Sequence, residues 1–118
     1  MVATLKTIAD VRAAARRAGS HWFDRDTVRY WGTRVRSALY GGRIFVTSEH
    51  NYSRTSTCYS VRLVTVAGED FEIDTIGGFQ RFATVTGARN YAKRAAAVLR
   101  MAPDLDADKI TTALEGQS

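Results

Sequence analysis

Arg89, Lys93 and Arg100 recur at spacings of four and seven residues, with Arg94 beside them, and residues 79–101 contain no acidic side chain. On a helix, that spacing lines three bases along one side. Arg12 and Arg16, four apart, with Arg17 adjacent, repeat the arrangement near the start of the chain. Cationic groups held in such rows neutralise phosphates, and the affinity they give falls steeply with salt. These seven residues are the candidate nucleic-acid contacts. The plain alternative for each row is a solvated helix face, its last-turn cations favoured by the helix dipole.

The charge distribution is uneven. Seventeen basic and twelve acidic residues give +5 overall, but residues 1–101 hold +8 and residues 102–118 return −3. A basic balance of this kind fits a polyanionic partner, DNA or RNA. Arginine supplies fourteen of the bases, a bias that a GC-rich genome also produces with no functional cause.

Other constellations carry less chemistry. Trp22, Phe23, Tyr30 and Trp31 surround Arg25 and Arg29; such rings stack unpaired bases or, more simply, fill the space between helices and a sheet. Arg34, Arg36, Arg43 and Arg62 beside Glu72 and Asp74 read as cross-strand ion pairs on a solvated sheet face. His21 and His50 lie far apart, and Glu69, Asp70, Glu72 and Asp74 lack the spacing of a calcium loop. Cys58, the one cysteine, excludes an internal disulfide and a thiolate zinc cluster; within an alternating strand it reads as a small buried hydrophobe. With no HExxH, GxSxG, P-loop or CxxC, the expectation is a chain that is not an enzyme and uses no cofactor or metal. No apolar run is long enough to span a membrane, so no membrane partner is expected. A lone thiol and the lack of a signal-type N-terminus point to a reducing cytoplasm.

The elements that must position these residues follow from periodicity. Residues 4–19 place Leu5, Ile8, Val11, Ala15 and Ala18 on one helical face, with Thr4 or Thr7 as N-cap and Gly19 as stop. Residues 20–32 suggest a short helix begun by Asp24 or Asp26. From residue 33 the period becomes two: 33–40 and 43–49 around Gly41-Gly42 predict one hairpin, and 58–66 with 70–76 a second, its loop of two, three or four residues. A long helix follows from Thr84 or Thr86 to Pro103, its buried stripe Ala88, Ala92, Ala95 and Leu99. Residues 104–118 can form a short helix capped by Asp104 or Asp106.

The prediction is therefore an α+β domain over residues 1–101 with an acidic tail over 102–118. Its order is helix, short helix, four strands, helix. Its sheet is a four-stranded antiparallel meander of two hairpins, covered on one face by two helices. On that arrangement the two basic helix faces could merge into one patch, a point that sequence alone leaves open.

The segments WFDRDTVRYWGTRV, RIFVTSE, YSVR, IDTIG and FQRFAT, followed by a helix of AxxYAKRAA type, resemble small uncharacterised proteins carried by actinobacterial phages and mobile elements. The resemblance covers roughly residues 5–97. It implies a phage-encoded accessory protein made in the host cytoplasm. The charge of residues 1–101 points to nucleic acid as its partner; the alternative is a module that binds and modulates a host protein. A looser similarity is to the double-stranded-RNA-binding domain, which runs helix, antiparallel sheet, helix. Four expected strands, and Gly87-Ala88 where that domain carries a lysine-rich patch, set the chain apart from it.

Overall fold

A computed structural model describes residues 5–19, 39–50, 57–67, 70–78 and 81–116. The first helix, α1 (Ile8–Arg17), begins where two side chains satisfy the amides that a helix start leaves unpaired. The Asp10 amide donates to Thr7 Oγ1 at 3.3 Å, and the Asp10 carboxylate accepts from the amides of Thr7 and Lys6 at 3.1 and 2.9 Å. Thr7, not Thr4, is therefore the cap. These backbone donors also hold the Asp10 carboxyl below its usual range. Gly19, at φ +71°, takes the left-handed conformation that ends the helix.

Three antiparallel strands follow in the order β1 (Ile44–His50), β2 (Thr57–Ala67), β3 (Asp70–Ile76). Ile44 lies opposite Leu63, Val46 opposite Val61, and Val61 in turn opposite Ile76. Ala67 pairs with Asp70, so the β2–β3 hairpin closes through a two-residue loop.

The expected four-stranded meander is overturned: among the described residues the sheet has three strands. The Gly41-Gly42 turn exists, with φ +63° and +77°, and Tyr40 and Ile44 exchange backbone hydrogen bonds of 2.7 and 3.1 Å across it. That pair is an isolated bridge, and β1 takes its long ladder from β2 instead. The short helix within 20–32, its aromatic cluster with Arg25 and Arg29, residues 33–38 with Arg34 and Arg36, and the turns at 51–56 and 68–69 lie outside the described residues.

After β3 the chain returns to the sheet once more, where Phe82 and Tyr59 exchange amide hydrogen bonds of 2.8 and 3.1 Å. This fixes the entry to α2 (Val85–Met101), capped by Thr84 Oγ1 accepting from the Gly87 amide. Ala88, Ala92, Ala95 and Leu99 are buried as the periodicity predicts, joined by Tyr91 and Ala96. The alanines let the helix settle close: a Cβ on Gly41 would stand 3.3 Å from the Ala96 Cβ. Helix α3 (Ala107–Glu115) is capped by Asp106, whose carboxylate accepts from the Lys109 amide at 2.8 Å.

Two apolar clusters decide the layering. Ile44, Val46, Tyr59, Val61, Leu63 and Ile76 pack with α2 and α3. Phe45, Val64 and Val66 pack instead with Leu5, Val11 and Ala14 of the α1 segment. Successive strand residues face opposite ways, so these are the two faces of one sheet. The expectation that both long helices cover one face is therefore corrected: α1 lies on one side, α2 and α3 on the other.

Helix α3 belongs to this core. Ile110 is 0 % exposed within the cluster that holds Ile76, Tyr91 and Leu99. Ile110→Ala should cost about 2–5 kcal/mol by urea denaturation. Met101→Ala, at a large hydrophobic side chain that is 89% exposed, should stay within about 0.5 kcal/mol of the parent.

Candidate nucleic-acid interface

Along its 17 residues α2 carries Arg89, Lys93, Arg94 and Arg100 and no carboxylate. The buried stripe fixes which way each points. Arg89, Lys93 and Arg100 follow one flank, next to Ala96 and hence on the side that approaches Gly41 at the β1 edge. Lys93 and Arg100 are exposed and Arg89 is half-buried. Arg94 leaves this row. It leans toward α3, where Nη2 donates to the Leu114 carbonyl at 3.4 Å and Cζ lies 5.9 Å from the Tyr91 ring centre.

On α1, Arg16 and Arg17 are exposed in the last turn, and Arg12 is half-buried. The sheet stands between these residues and the α2 row. The structure thus brings Arg89, Lys93 and Arg100 together and brings Arg12, Arg16 and Arg17 together. It does not merge the two groups into one patch. Acidic residues gather elsewhere, with Asp70, Glu72 and Asp74 on β3 and Asp104, Asp106, Asp108 and Glu115 in and around α3.

The strand arginines serve the fold. Arg43 ties three segments: Nε donates to the Val64 carbonyl at 3.1 Å, Nη2 to Thr65 Oγ1 at 2.9 Å and Nη1 to the Pro103 carbonyl at 3.2 Å. Arg62 donates to the hydroxyls of Thr47 and Thr75. Its register places it opposite Thr75, whereas Glu72 and Asp74 lie opposite Thr65 and Leu63 on the other face. A cross-strand ion pair between Arg62 and these carboxylates is therefore not formed. Cys58 is a free thiol in β2, half-buried. Among the described residues no three His, Cys, Asp or Glu side chains converge to hold a metal, and no helix is long and apolar enough to cross a membrane.

One polar cluster has no counterpart in the sequence reading. Glu115, at the end of α3, forms an ion pair with Arg81 and accepts from the Tyr91 hydroxyl. The Arg81 guanidinium also donates to the Gly77 carbonyl at 3.1 Å and lies 5.1 and 5.3 Å from the ring centres of Tyr91 and Phe82. Gly77 is required beneath it: its φ is +83°, and a Cβ there would come within 2.6 Å of the Tyr91 oxygen. Burial, with the Glu115 hydrogen bond and charge adding to it, pushes the Tyr91 phenol up to about 12, so it remains a neutral donor. Arg81, then Tyr91, holds the Glu115 carboxyl below its usual 4.5. Arg81, Tyr91 and Glu115 each find a partner in the others, which makes this a clasp joining α3 to α2 and the segment that leads into it. Sequence carried one signal for it, the sole arginine between β3 and α2; its partner lies in another element.

With the fold and the basic rows placed, a comparison with protein-family models matches residues 7–93 to DUF7447, a family of unknown function. The chain belongs to that family. The DUF7447 match takes in α1, the sheet and the first half of α2, including Arg12, Arg16, Arg17, Arg89 and Lys93; Arg94, Arg100 and α3 fall beyond it. No curated protein and no solved structure matches the chain. The three strands remove one of the two departures from the double-stranded-RNA-binding domain; the other remains, since Gly87 and Ala88 open α2.

The clasp gives a pH signature. A carboxyl with a lowered folded-state pKa adds stability above its unfolded value and loses it as pH falls through the folded one. Glu115→Gln should therefore lower the melting temperature by a constant amount above about pH 5, and the gap should close progressively below 4.5. Asp10 titrates in both proteins and cancels from the difference.

Proposed function

We propose that the protein is a small accessory protein of a phage or mobile element that binds nucleic acid through its phosphate backbone, without reading bases. The α2 row is its principal contact. One observation carries the reading: a helix free of carboxylates presents Arg89, Lys93 and Arg100 along one flank, and neither Lys93 nor Arg100 forms an ion pair among the described residues. At 1.5 Å per residue, Arg89 and Arg100 are about 16 Å apart along the axis, a span that faces several phosphates. Phosphate contacts hold a protein on a nucleic acid but carry no sequence information. Beside the row, Ala97 offers no group that could read a base edge.

Three phosphate contacts imply a log–log salt slope of about −3 and a roughly 40-fold loss of affinity between 50 and 200 mM salt. Fluorescence anisotropy with unrelated duplexes should give that slope with little dependence on sequence. Lys93→Glu/Arg100→Glu should weaken binding several-fold, by less than about tenfold, at 50 mM salt. Unchanged anisotropy at low salt with both DNA and RNA would eliminate the reading.

A further inference from the structure

The two basic rows lie on opposite sides of the molecule, and this arrangement has a chemical consequence. Lys93 and Arg100 are exposed on α2, and Arg16 and Arg17 are exposed on α1, together with Lys6 just before it. The α1 helix rests on Phe45, Val64 and Val66, and α2 rests on Ile44, Val46, Tyr59, Val61 and Leu63. No rotation of side chains can bring the two rows to one surface, because a filled apolar layer stands on each side of the sheet. From these opposed rows we infer that one molecule bridges two nucleic-acid segments, one held by the α2 row and the other by Arg16 and Arg17 on α1.

Magnitudes favour two independent sites over one extended site. Three packed layers set the two helix axes roughly 20 Å apart, since adjacent layers pack about 10 Å from one another. The Debye length is about 10 Å at 0.1 M salt, so a duplex neutralising one row leaves the field of the other nearly intact. A single straight duplex also cannot touch both, because the sheet and its two apolar layers lie between them.

This inference rests on the nucleic-acid reading above, and the experiment separates the two. A biotinylated duplex on beads and a fluorescent duplex in solution are mixed with the full chain at 50 mM salt, with anisotropy on the single duplex measured in parallel. Bridging predicts protein-dependent retention of the fluorescent duplex, rising and then falling as excess protein saturates each duplex separately. Arg16→Gln/Arg17→Gln and Lys93→Gln/Arg100→Gln should each weaken single-duplex binding by less than tenfold, because the other row remains. Each should also reduce retention at least fivefold. Arg16→Ala/Arg17→Ala, which keeps helix propensity, guards against loss of fold and should behave as the glutamine pair.

Single-duplex binding without retention at any protein concentration would overturn bridging and leave the nucleic-acid reading standing. Retention unaffected by the Arg16 and Arg17 substitutions would also overturn it, since two copies joined back to back through α2-bound duplexes would then account for the effect. No single-duplex binding at all would overturn both.

Discussion

The structure depends on the double-sided burial of β2. Its eleven residues send Tyr59, Val61 and Leu63 to one side and Val64 and Val66 to the other, and all five are nearly or fully excluded from solvent. A strand that is apolar on both faces must be covered on both. One helix cannot do this, so α1 is drawn to one side while α2 and α3 occupy the other. The three-layer build and the opposed cationic rows both follow from that requirement.

Local features were legible in the sequence and non-local ones were not. Thr7, Thr84 and Asp106 were each among the residues that could cap a helix, because a cap involves only the next three residues. The alanine stripe of α2 followed from its period. The strand count differs at the segment before Gly41-Gly42: among the described residues only Tyr40 bridges back to Ile44, while β1 ladders with β2, where Val46 and Val61, and Ile44 and Leu63, meet.

The side of the sheet on which each helix lies was partly readable. Ile44, Phe45 and Val46 are three apolar residues in a row, and Leu63, Val64 and Val66 break strict alternation. Such a pattern belongs to strands buried on both faces. A reading that expected one polar face overlooked it, and with it the separation of the basic rows. In the candidate interface, the spacing of Arg89, Lys93 and Arg100 survived as one flank because helical period alone determines it. Arg94 departed because its neighbours, Tyr91 and Leu114, lie partly in another helix.

The span shared with DUF7447 ends at residue 93, midway along α2, while the layer beneath that helix continues through Ala95, Ala96 and Leu99 to Ala107 and Ile110. The family's limit is thus not a seam in the molecule. In this chain the residues beyond that point, from Ala95 to Ile110, complete the cover of one side of the sheet, so cutting at residue 93 would open its apolar layer to water.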